Sequence, residues 1–132
     1  MYLEVYDYPL MSIHPGALMA SQAANCAAES GQYFEMRALL FAGTEQQAWG
    51  AGSLDDIDVF VGYAEQLGLD GADFEACVTG NRYLDQVRAD IAMADQLGAR
   101  STPAFIVNGR LMLGAQPIDE FRRIFDVLIS PP

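Results

Sequence analysis

The tightest constraint on this chain is the stretch STPAFIVNGRLML, Ser101 to Leu113. Proline has no N–H to give a ladder, so a sheet tolerates it at a strand's first residue, at an edge or at a bulge. Pro103 fits the first of these. Behind it, Ala104, Phe105, Ile106 and Val107 form an unbroken apolar run, the pattern of a strand buried on both faces. Asn108-Gly109 supplies the residues a type I′ turn requires, and Arg110 to Leu113 is the return strand.

Most of what precedes the hairpin has helical spacing. His14-Pro15 opens an alanine-rich segment ending before Gly31, with Met19, Ala23, Cys26 and Ala27 on one face. Tyr33 to Phe41 predicts a second helix, and Ala42 to Gly52, with three glycines, a loop. Ser53 is placed to cap a third, with Asp55, Asp56 and Asp58 near its positive end and Ile57, Phe60, Val61, Ala64 and Leu67 as its buried stripe. The trio of aspartates lacks the glycine and glutamate of a calcium loop. Gly68 stops that helix, Asp70 to Val78 forms a short one, and Leu84, Val87, Ile91, Ala94 and Leu97 mark a fifth. Gln116-Pro117 opens a last helix whose core face is Ile118, Phe121, Phe125 and Leu128. At the front, Tyr2 to Tyr8 alternates loosely and predicts a partly exposed strand.

Composition narrows the function. The chain has 132 residues, 52% hydrophobic, enough for one packed domain. A formal charge of -11 repels phosphate backbones and anionic lipid, which argues against nucleic-acid and membrane partners. No apolar run approaches the ~20 residues of a spanning helix. MYLEVYDYPL carries Glu4 and Asp7 and no basic residue, unlike a secretory leader. Cys26 and Cys77 form neither a C-x-x-C nor a zinc spacing, and no cofactor motif is present; GAGSLD at Gly50 to Asp55 lacks the third glycine of a phosphate loop.

The segments YDYPL, HPGALMASQAANCAAESGQYFEMRALLF and LGARSTPAFIVNGRLMLGAQPIDEF together resemble the DsbA-like thiol-disulfide oxidoreductases, from Val5 to Leu128. The resemblance implies an α/β thioredoxin-like fold with an inserted helical subdomain: a single domain, residues 1–132, with the insertion and flanking helices at 12–97 and the loop, hairpin and last helix at 98–132. It implies a cis Thr102-Pro103 bond whose loop, Ser101, Thr102 and Pro103, binds an extended peptide substrate. It also implies that the redox C-x-x-C and the first strand and helix precede the matched region, leaving an incomplete sheet and no catalytic residue here.

The function so implied is that of the C-terminal portion of a disulfide oxidoreductase, inactive alone. The alternatives are a redox-inactive peptide-binding module and a glutathione-dependent isomerase or transferase relative. Cys26 and Cys77 read as inert buried thiols, against a mutual disulfide or a reactive site. His14 reads as a helix-start residue and Trp49 as a core or lid residue. An unpaired strand edge predicts a homo-oligomer or a strand-swapped dimer.

Overall fold

The computed structural model describes residues 1–130. It contains α1 (Ala17–Ala28), α2 (Tyr33–Glu45), α3 (Leu54–Gln66), α4 (Gly71–Thr79), α5 (Leu84–Gln96), β1 (Ala104–Val107), β2 (Arg110–Leu113) and α6 (Ile118–Ile129). The chain divides into two compact units, Met1–Ala94 and Asp95–Pro132.

The first unit is a helical bundle organised around α1, which packs against α2, α3 and α4. Its alanines explain why: Ala20, Ala23, Ala24 and Ala27 are all buried, and so small a surface lets three neighbours approach closely. Met36 and Leu40 of α2, Phe60 and Ala64 of α3, and Phe74 and Val78 of α4 fill the space around them. Phe60 is fully buried. At 1.5–3 kcal/mol for each large apolar side chain, roughly, this cluster is the main source of the unit's stability. Trp49 belongs to it, edge-on to Phe60 with ring centroids 5.1 Å apart and its indole N–H donated to the Leu40 carbonyl at 2.9 Å.

Local chemistry sets the helix ends. Asp70 accepts the Asp73 N–H at 2.9 Å and caps α4. Gly68, at φ +79, lets the Leu69 N–H turn back to the Ala64 carbonyl and closes α3. Ser53 differs from expectation, for its hydroxyl makes no cap bond. Asp56 takes part in the same region differently: it is buried and accepts the N–H groups of Gly50 (3.1 Å) and Gly52 (2.6 Å), pinning the loop before α3. Helix α2 runs four residues beyond Phe41, to Glu45, so the loop begins later than glycine content suggests.

The expected strand at Tyr2 to Tyr8 is absent. A strand exists only against a neighbour, and the sheet of the described residues holds β1 and β2 alone. Side chains hold the segment's end instead. The Asp7 N–H donates to buried Asp90 at 3.0 Å, and Asn25 donates to the Asp7 carboxylate at 2.7 Å. Burial pushes the Asp7 carboxyl up, against the lowering by Asn25, and the Asp90 charge adds to the rise. Burial also pushes the neighbouring Tyr33 hydroxyl up to about 12.

The second unit is the hairpin and α6. The pairs Phe105↔Met112 and Val107↔Arg110 set an antiparallel register closed by Asn108 (φ 47) and Gly109 (φ 78), as a type I′ turn demands. Phe105 meets Phe121 of α6 at 4.8 Å, so that face of the sheet is covered. The opposite face carries Ala104, Ile106, Leu111 and Leu113, and Ile106 is 47% exposed. The doubly buried strand expected from the apolar run is therefore covered on one face. Likewise Phe121 and Phe125 of α6 are half-buried, whereas Ile118 and Leu128 stay exposed.

Candidate functional site

The loop preceding β1 is the candidate site. Buried Ala99 precedes it, and Ser101, Thr102 and Pro103 are all exposed. The Thr102-Pro103 bond is cis. The Pro103 carbonyl accepts the Gly114 N–H at 2.8 Å, which ties the loop to the end of β2 and fixes which way the strand's backbone points. In an antiparallel ladder the hydrogen-bonding groups alternate from one edge to the other. With Pro103 turned to β2, Phe105 and Val107 turn the same way, and the N–H and C=O groups of Ala104 and Ile106 point to the free edge. Two backbone stations therefore line the edge away from β2, with the exposed loop at their head.

Neither cysteine of the sequence lies in this loop. Cys26 and Cys77 belong to the other unit and are bonded to each other, with Cα atoms 6.1 Å apart. That corrects their reading as free thiols. Each lies on the core-facing side of its helix, and packing α1 against α4 brings those sides together. The signal available in the sequence was the even cysteine count alone.

Sequence reasoning also missed the polar cluster beside the disulfide. The Glu29 carboxylate accepts Arg82 at 2.8 and 2.9 Å and the Tyr83 hydroxyl at 2.8 Å. These bonds, Arg82's first and then Tyr83's, hold the Glu29 carboxyl below its usual range. His14 is exposed in the turn before α1, with its N–H on the Leu10 carbonyl. No three histidine, cysteine or acidic side chains among the described residues are grouped as a metal site would be. No helix among them is long and apolar enough to cross a membrane.

Comparison with known proteins places this geometry in a family. The profile described as thioredoxin matches residues 2–127. A Na(+)/H(+) antiporter NhaA 3 of Salinispora tropica is 36% identical over 84% of this chain, which spans 16% of that protein. An NhaA 1 antiporter of Mycobacterium sp. strain KMS is 34% identical over 78% of the chain, again 16% of the relative. YwbO of Bacillus subtilis, an uncharacterised protein, is 28% identical over 89% of the chain and 58% of its own length. The chain thus corresponds to a minor part of the antiporters and rather more than half of YwbO.

Proposed function

This chain belongs to the thioredoxin family, and from that premise we propose that it is the substrate-binding, C-terminal portion of a DsbA-like protein disulfide oxidoreductase. The observation that carries the proposal is the exposed Ser101-Thr102-Pro103 loop leading into a strand whose outer edge is open. An extended peptide adds to such an edge as a further strand, gaining backbone hydrogen bonds that ask nothing of its side chains. Substrates with diverse sequences suit that mode of binding.

Thiol-disulfide exchange needs a thiolate made available near neutral pH and a second thiol within reach. Both cysteines of this chain are committed to one buried disulfide. Bound alone, a client protein is held and not oxidised; the exchanging sulfur pair comes from a separate segment.

Titration of the chain with an extended cysteine-containing peptide, followed by amide NMR shifts, tests this. The largest shifts are expected at Thr102, Ala104 and Ile106. Ile106→Pro removes an N–H from the open edge without touching the ladder to β2, so it should abolish binding while the hairpin persists. Shifts confined to the helical unit, or binding unaffected by Ile106→Pro, would refute the site. No insulin reduction is expected from the chain by itself.

A further inference from the structure

The disulfide is buried, yet both of its cysteines border open space. A cavity of about 370 Å³ is lined by Cys26 and Cys77 together with Glu29, Asp70, Asp73 and Arg82. That volume is several times the share of one water molecule in the liquid, about 30 Å³, and leaves room for a molecule of a few heavy atoms. Both halves of the disulfide are thus among the cavity's lining residues. A Glu29 oxygen lies 4.0 Å from the Cys77 Sγ and is ionised, as its two hydrogen-bonded neighbours require. Three carboxylates thus face the space against one guanidinium, and Arg82 is already engaged with Glu29. The surrounding unit adds to the field: residues 1–94 hold 14 Asp and Glu against three Arg.

We propose that the Cys26–Cys77 disulfide is a guarded redox site, reached through this cavity by small thiols and selective by charge, accepting cationic aminothiols and excluding anionic thiols. Every residue involved belongs to the helical unit, and none to the loop of residues 101–103.

The chemistry is ordinary exchange. A thiolate R–S⁻ attacks one sulfur, a mixed disulfide forms, and the other cysteine leaves as a thiolate. A second R–S⁻ attacks the R sulfur of the mixed disulfide, releasing the second cysteine thiolate and R–S–S–R. Two electrons pass from the two small thiols to the protein, and the two cysteine thiolates take up the two protons those thiols gave. Whichever sulfur is attacked first, negative charge builds on atoms beside Glu29. An ammonium on the incoming thiol offsets that charge, whereas a second anionic group adds to it. For a chain that handles other proteins' disulfides, such a filter keeps its own staple out of exchange with anionic cellular thiols.

The test is the rate of native-state reduction, read by alkylation and mass spectrometry, with cysteamine, 2-mercaptoethanol and 2-mercaptoethanesulfonate at equal thiolate concentration. Each rate is divided by the same reagent's rate on hydroxyethyl disulfide. The normalised cysteamine rate should exceed the sulfonate rate by a factor of about ten or more, as unit charges in a partly screened contact imply, with 2-mercaptoethanol between. Asp73→Asn, which leaves the α4 cap in place, should shrink the ratio several-fold, and so should 0.5 M salt by roughly the same order. Equal normalised rates for all three reagents would overturn the proposal. So would rates independent of thiol concentration and equal to the global unfolding rate, since the sulfurs would then be reached only in the unfolded chain.

Discussion

The two compact units solve the same problem, covering apolar side chains, to very different degrees. Among the described residues, every buried one except Ala99 lies in residues 1–94, where α1 to α4 share a continuous core and a disulfide joins α1 to α4. Residues 95–132 have one covered sheet face, built on Phe105, Phe121 and Phe125, and one open apolar face at Ile106, Leu111 and Leu113. Charge follows the same division. The helical unit carries the whole excess of acid, and the hairpin unit has four Arg against four Asp and Glu. A unit with a complete core can carry a strong surface charge without coming apart. The hairpin unit is neutral and leaves one apolar sheet face uncovered.

Substitutions can break or sharpen that contrast. The largest effect should come from Phe60→Ala, at the centre of the helical core: a loss of about 3–5 kcal/mol in chemical denaturation followed by helical circular dichroism. Next comes removal of the staple. Replacing both cysteines by alanine opens a loop closed over 51 positions and should cost about 4 kcal/mol on the chain-entropy account, with a matching shift in the denaturation midpoint.

Phe105→Ala should cost less, about 1–2 kcal/mol, because the ring is half-buried and its main partner is Phe121. Hydrogen exchange should show the loss in β1, β2 and α6 and leave the helical unit's protection unchanged. Equal loss of protection in both units would show that they fold as one.

A smaller effect with a definite sign is expected at Asp7. Its raised pKa means the folded chain holds that proton better than the unfolded chain, so ionisation costs stability as pH rises through the raised value. Below the ordinary aspartate range the cost is absent. Asp7→Asn, which keeps an acceptor for Asn25, should therefore raise Tm at pH 7, and the gain should fade as the pH falls toward that range. Smallest of all is Ile106→Thr on the open face, expected within about 0.5 kcal/mol of the parent chain. A penalty of 2 kcal/mol or more would mean that something covers this face in solution.

Much of the fold was legible without coordinates. Each helix announces itself through residues three and four apart, as at Ile57, Phe60 and Ala64, and the hairpin through Pro103, Asn108 and Gly109. Part of the candidate loop was legible too, but only through resemblance; the residues themselves say that a strand begins at Pro103 and not which edge is open. Asp56 shows the limit of local rules. Its place in the first turn of α3 suggested a dipole partner, whereas its carboxylate turns out to bind a loop four to six residues upstream.

The amino-acid sequence by itself determined where six helices and one hairpin lie, because helix periodicity, Gly stops and turn residues act over a few neighbours in the chain. Tertiary structure decided the rest. Tyr2 to Tyr8 has strand character yet forms no strand, Cys26 finds Cys77 across 51 positions, and one face of β1 is covered while the other stays open. Each of these outcomes depends on which distant segment arrives as a neighbour, and no short window of residues contains that information.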